Sequence, residues 1–189
     1  LARRLITEKR RATGPASASA LNASTAAMKR DLVELLTQAQ MDDAIRIVVF
    51  TGQGQAFWAG DDLKGYSGDS VQVPQIHHGH HNPSGTYNGL RTISQAVNTA
   101  VRNLDKISIA AINGFAIQTG FSLALACDFR VAARSAKLGS ATLRFGLLPD
   151  EGGQWLLVQH LGVARAMDFM MRKRIVDGET AFELGLVHE

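Results

Sequence analysis

The run Ile107-Ser-Ile-Ala-Ala-Ile-Asn-Gly-Phe-Ala-Ile-Gln-Thr-Gly-Phe-Ser-Leu-Ala-Leu-Ala-Cys-Asp-Phe-Arg-Val-Ala-Ala, ending at Ala133, decides the fold class. Its first six residues, Ile107 to Ile112, are apolar and rich in β-branched side chains, as a buried strand requires. Asn113-Gly114 breaks the strand, Phe121 to Ala126 read as a short apolar helix, and Phe129 to Ala133 read as a further strand. Strand, turn, helix and strand inside 27 residues is the alternation of an α/β domain with a mostly parallel sheet.

The same order holds upstream. Ser24 or Thr25 can cap a helix in which Met28, Leu32, Leu35, Leu36 and Ala39 share one face, with Lys29, Arg30 and Glu34 on the other. Gln40 to Asp43 ends it, and Ile45-Arg-Ile-Val-Val-Phe-Thr follows as a strand whose apolar run fits a sheet covered on both faces. Asn88 to Leu104 has helical spacing at Leu90, Ile93, Val97, Val101 and Leu104, and leads into the strand at Ile107. Downstream, Gly153 to Leu161, Val163 to Arg172 and Glu179 to Leu184 read as helices separated by Gly162 and by Asp177-Gly178. Residues 65–89 hold Pro74, Pro83, five glycines and four of the six histidines, and read as a long loop.

Composition narrows the function. The chain has 189 residues, 46% hydrophobic and 20% charged, the profile of a soluble globular domain that builds its core without disulfides. Its richest apolar stretch, Ile107 to Phe129, is interrupted by Asn113, Gln118, Ser122 and Asp128, which excludes a membrane span. The net charge of +3 is concentrated at one end. Arg3, Arg4, Lys9, Arg10 and Arg11 against Glu8 place +4 in the first eleven residues and leave −1 over the rest. A short basic arm without a basic face is no nucleic-acid footprint. The arm, residues 1–19, matches nothing further; it is Arg-rich but lacks serine up to residue 16, the half-signature of a transit-peptide remnant. Cys127 is alone, in an apolar run, and reads as a buried inert thiol in a reducing compartment.

Two loops can carry chemistry. Thr51-Gly-Gln-Gly-Gln-Ala-Phe-Trp-Ala-Gly-Asp-Asp-Leu-Lys leaves the first strand, and its spacing fits neither a phosphate loop nor a dinucleotide fingerprint. Asn113 to Ser122 leaves the second strand and opens a helix, so its amides point at whatever polarised oxygen arrives there. Two such loops at one sheet edge can together form an oxyanion hole; spacing alone serves a structural turn as well.

Phe57-Trp-Ala-Gly-Asp-Asp-Leu-Lys, Ile109-Ala-Ala-Ile-Asn-Gly, Leu123 to Ala133 and Phe145-Gly-Leu-Leu-Pro-Asp-Glu-Gly-Gly occur in this order, with Ala20-Leu-Asn-Ala before them and Ala181 to Val187 after. Together they resemble the crotonase superfamily, the enoyl-CoA hydratase/isomerase family, over residues 20–189. The resemblance implies a crotonase-like α/β fold of repeated ββα units, lacking here the family's C-terminal helical segment. It implies an acyl-CoA thioester substrate, no cofactor beyond the coenzyme A that is part of it, and assembly as a homotrimer or dimer of trimers. The thioester oxygen would be held by the backbone N–H groups of Asp61 and Thr119. Ala59, Gly60, Leu63, Lys64, Gly120, Ser122 and Thr142 would line the substrate and CoA site, with Lys64 at the CoA phosphates. The expected location is the cytoplasm, or the mitochondrial matrix in a eukaryote.

The sequence departs from the family where hydration is performed. Ser122 and Thr142 stand at the positions of the two hydratase glutamates, and a lone hydroxyl is too weak an acid to serve as a base near neutral pH. Gln118-Thr119-Gly120 replaces three glycines, and Asp61 stands where a small residue is commoner. A carboxylate remains at Asp150, which matches an acid/base position of some family isomerases and otherwise caps the following helix. Glu151 is adjacent, and the two side chains are expected to diverge with one in solvent. These residues favour an isomerase-like proton transfer; a hydrolase, a C–C bond-cleaving enzyme and a degraded binding subunit are the alternatives. Among the histidines, one of His77, His78, His80 or His81 fits a pocket base better than a metal ligand, and His160 reads as structural. Trp58 and Trp155 read as packing or pocket wall.

Overall fold

The computed structural model describes residues 21–61, 83–140, 142–146 and 148–189. The basic arm 1–19, Leu63, Lys64 and the histidines 77–81 lie outside the described residues. The first helix, α1 (Ala26–Met41), starts where Thr25 Oγ1 accepts the Met28 N–H. It ends at Asp42, whose carboxylate turns back onto the Ala44 N–H (2.9 Å). Strands β1 (Ile47–Thr51) and β2 (Ala56–Trp58) follow. A helical stretch then runs as α2 (Pro83–Gly89), a π-helical turn (Leu90–Ser94) and α3 (Gln95–Arg102). The remaining elements are β3 (Ile107–Ile112), β4 (Phe115–Ile117), α4 (Thr119–Ala126), β5 (Phe129–Ala132), β6 (Lys137–Gly139), a 3-10 turn (Thr142–Phe145), α5 (Gly153–Met171), β7 (Ile175–Asp177) and α6 (Gly178–Glu183).

The strands form two sheets. β1, β3 and β5 lie side by side in parallel, and β2, β4 and β6 form a second parallel set that β7 closes in antiparallel sense. Each of the first two units sends one strand to each sheet, so the short strands β2 and β4 continue β1 and β3 across a turn. That second layer escapes a pattern search because its strands are three residues long.

The expectation that the first sheet is covered on both faces is corrected. Exposure alternates along β1 and β3, and Ile47, Ile107, Phe129 and Val131 are exposed among the described residues. A continuous apolar run therefore does not by itself prove two-sided burial. The first helix also departs from its sequence reading. Lys29 lies on the buried face with Leu36 and Ala39, rather than on the solvent face. The loop expected over 65–89 is helical from Pro83 onward.

At the centre sits α4, every one of whose eight residues is buried. It packs against β2, β3, β4, α3 and α5, and Phe121 stacks on Phe169 of α5 with ring centroids 5.9 Å apart. The run Cys127 to Arg130 is structural. Asp128 accepts from both the N–H and the hydroxyl of Ser108 (2.8 and 2.7 Å), while buried Arg130 donates to the Cys127 and Leu186 carbonyls (2.6 and 2.8 Å). Cys127 is buried as expected, and burial pushes its thiol up to about 12. His160 bonds the Leu125 carbonyl (3.0 Å), consistent with a structural role. Trp155 is 56% exposed, with the Arg102 guanidinium 6.0 Å from its ring centroid.

Two glycines shape this arrangement. Gly162 interrupts α5 at φ 72°, ψ 164°, so the element is two helices meeting at a kink, at the residue where the sequence places a break. Gly120 lets α4 approach β2: a Cβ there would lie 2.0 Å from the Trp58 carbonyl oxygen. Gly120→Ala is expected to cost about 1–3 kcal/mol or more, read as a lower urea midpoint, because backbone rather than a flexible side chain must move.

Candidate active site

The site forms where the loops after β1–β2 and β4 meet the turn before α5. Asp61 closes the first loop beside Ser24, and the Ser24 N–H donates to the Gly60 carbonyl (2.9 Å). Thr119 opens α4, and its hydroxyl donates to the Asp61 carboxylate (3.1 Å), so the two residues expected to supply amide donors are side by side. Neither the Asp61 nor the Thr119 backbone N–H donates to a backbone carbonyl among the described residues. The first-turn amides of α4 have no acceptor within the helix, and its dipole adds partial positive charge there.

Gln118 precedes them at φ 52°, ψ −112°, with no side-chain cap to the helix. That conformation is uncomfortable for any residue with a Cβ and costs on the order of 1–3 kcal/mol. Its backbone N–H is anchored on the Gly139 carbonyl (3.0 Å), and its side chain lies against Gly60. Strain held in place between the two loops marks this turn as more than a connector.

Asp61 carries a charge that must be answered. Its carboxylate receives the Ser24 hydroxyl (2.9 Å), the Thr119 hydroxyl and the Lys29 ammonium, whose Nζ lies 2.8 Å from Oδ1 and 2.9 Å from Oδ2. Lys29 is only 2% exposed and also donates to Ser94 Oγ (3.4 Å). The carboxylate is therefore engaged by other side chains. Sequence reasoning missed Lys29, although its seven-residue spacing from Leu36 puts both on one helical face.

The second acidic group lies deeper. Of the adjacent pair, Asp150 is exposed and Glu151 is 2% exposed, so one of the two is in solvent as expected, but the side chains do not diverge: the Asp150 carboxyl is in hydrogen-bond contact with that of Glu151. Sequence reasoning ranked Asp150 first; the enclosed position belongs to Glu151. The Ser122 hydroxyl donates to Glu151 Oε1 (3.1 Å) from the interior of α4. Two amides of α3, one turn apart, hold the main chain of the acidic pair: Gln95 Nε2 donates to the Asp150 carbonyl (2.9 Å) and Asn98 Nδ2 to the Glu151 carbonyl (2.8 Å). Neither amide was identifiable from sequence, since Gln and Asn on a helix usually face water. Thr142 is buried, but its hydroxyl pairs with Ser140 (2.9 Å) rather than with Ser122 or Glu151. Ala59 donates its N–H to the Leu21 carbonyl (3.2 Å), and Trp58 Nε1 donates to the Gly60 carbonyl (3.0 Å), fixing that loop.

Burial pushes the Glu151 carboxyl up to about 7, opposed by its own backbone N–H and, less, by the Ser122 hydroxyl, and reinforced by the charge and hydrogen bond of Asp150. Such a group exchanges protons near neutrality, which an ordinary carboxylate does not. Among the described residues no group of three or more His, Cys, Asp or Glu could hold a metal ion, and no helix is long and apolar enough to cross a membrane.

Two amide-bearing turns and a buried carboxyl on this layered α/β frame define a crotonase-type fold. The sequence profile of the enoyl-CoA hydratase/isomerase family matches residues 16–189, and the chain belongs to that family. It is 37% identical over 171 residues to the 1,2-epoxyphenylacetyl-CoA isomerase of Escherichia coli, covering 88% of this chain and 60% of that protein. Among solved structures it is similar to an enoyl-CoA hydratase from Bacillus anthracis (34% identity, TM-score 0.77, 89% of this chain and 60% of that one). It is likewise similar to an enoyl-CoA hydratase/isomerase from Cupriavidus metallidurans (31%, TM-score 0.79, 92% and 61%). The chain thus spans about three fifths of the length of these relatives.

The shifted carboxyl has a consequence for stability. Unfolded, Glu151 ionises in the ordinary carboxylate range, roughly pH 4.3; folded, it does so at about 7. Between these values the folded state holds the extra proton, so this group's contribution to stability falls as pH rises across the window and is level above it. Glu151→Gln is expected to raise Tm at pH 8 by roughly 3–8 °C, with the gain shrinking toward zero at pH 4, as calorimetry at the two pH values would show.

Proposed function

We propose that the protein acts on an acyl-CoA thioester, stabilising its enolate at the Asp61 and Thr119 amides while Glu151 moves the proton. Backbone donors aimed at a developing oxyanion need no reorganisation as charge builds. The observation that carries the reading is the buried Glu151 carboxyl, bonded by Ser122 and poised near neutrality. Ionised, it can take a proton from the carbon next to the thioester; protonated, it can return one to that carbon or its vinylogous γ position. Asp150, adjacent and in solvent, is the route by which the carboxyl re-equilibrates.

One such carboxyl suffices for double-bond isomerisation, whereas hydration in the family uses two glutamates at the positions of Ser122 and Thr142. A hydrolase is the second reading, favoured by one contact: a Ser122 hydroxyl donating to a buried carboxyl is also the start of a nucleophile–base pair. Release of free CoA thiol separates the two.

With a panel of enoyl- and acyl-CoA thioesters in D2O, the wild type is expected to exchange α or γ protons without releasing thiol. The rate should rise with pH and level off, with a midpoint near the value of about 7 set by Glu151. Glu151→Gln should lower exchange by about 100-fold or more, and Asp150→Asn by much less. If Asp150→Asn abolishes exchange and Glu151→Gln does not, Asp150 is the acid/base group; if no thioester exchanges, the enolate reading fails.

A further inference from the structure

The enolate site carries a fixed negative charge of its own. Asp61 offers its backbone amide to the proposed oxyanion, yet by covalent geometry its carboxylate sits only roughly 3–4 Å from that amide nitrogen. Two like charges so close in a low-dielectric interior repel strongly. Left alone, this side chain would oppose the charge its own main chain is meant to stabilise.

The buried cation answers this. Lys29 reaches the carboxylate from the inner face of α1, with Nζ 2.8 Å from Oδ1, and nothing in a helix of this kind otherwise calls for a lysine that is 2% exposed. Lysine is almost never fully buried without a partner. The Ser24 and Thr119 hydroxyls occupy Oδ1, and Ser94 shares the ammonium, so α1, the π-helical turn and α4 are joined at one charge pair. We infer that Lys29 is a charge-compensating and positioning residue for the thioester-oxygen site, cancelling the Asp61 carboxylate so that an enolate can form at the Asp61 and Thr119 amides. The inference rests on the enolate reading above, and it adds a residue that touches neither substrate nor the migrating proton.

A purely structural brace would behave differently, because breaking an ion pair from either end leaves one buried charge unpaired. Compensation predicts an asymmetry: removing the cation leaves an anion beside the enolate, whereas removing the anion leaves a cation there. The test measures kcat and KM for proton exchange on a thioester that the wild type turns over, at a temperature where circular dichroism shows each variant folded. Lys29→Met is expected to lower kcat by about tenfold or more with KM changed by less than roughly threefold. Asp61→Asn should keep at least about five times the Lys29→Met rate, and the double variant should recover by a similar factor over Lys29→Met. If Lys29→Met does not fold, Lys29→Gln, which keeps a hydrogen-bond donor without the charge, replaces it. Equal losses from both single variants, or no recovery in the double variant, overturn the inference while leaving the enolate reading intact. A wild type that exchanges no proton overturns both.

Discussion

A helix with no solvent-facing side has to be entirely small or apolar, or else has to bond every polar group it carries inside the protein. This constraint on α4 organises the molecule. Close approach at Gly120 brings its start against β2, Phe121 locks it to α5, and its two hydroxyls are left without water. Ser122 and Thr119 therefore each reach for a carboxyl, one on either side of the helix start: Glu151 and Asp61. The polar geometry of the site follows from burying this one element.

The two carboxyls sit in different surroundings. Asp61 has a lysine within ion-pair distance and two hydroxyl donors. Glu151 has its own backbone N–H and one hydroxyl as donors, but little solvent and a neighbouring acid, so the neutral form gains. One acid is thereby suited to holding a site in shape, the other to gaining and losing a proton.

The frame was legible where the chain repeats a pattern long enough to see. The helix capped at Thr25, the strands at β1, β3 and β5, the central helix and the break at Gly162 all follow from periodicity, caps and glycine. The three-residue strands of the second sheet carry too few positions for any period to register. At the site, the motifs located both amide-bearing turns and the acidic pair, but which acid faces inward is set by two amides of α3 holding the main chain from outside the motif. Charge suggests a solvent face for Lys29 while its spacing from Leu36 puts it on the buried one, and the buried position is the one that meets the Asp61 carboxylate. The exposed face of the first sheet is not legible because apolar sequence reports what a strand prefers, not what covers it.

The bend in α5 separates mechanical duties along a single element. At φ 72°, ψ 164° only glycine is at ease, and a Cβ there would meet nothing within 4 Å, so the requirement is torsional and not one of space. The half before the bend seats the turn that bears Glu151, while the half after it drives Phe169 into the interior. The bend lets the two halves of one element take different directions, each fitted to its own neighbours.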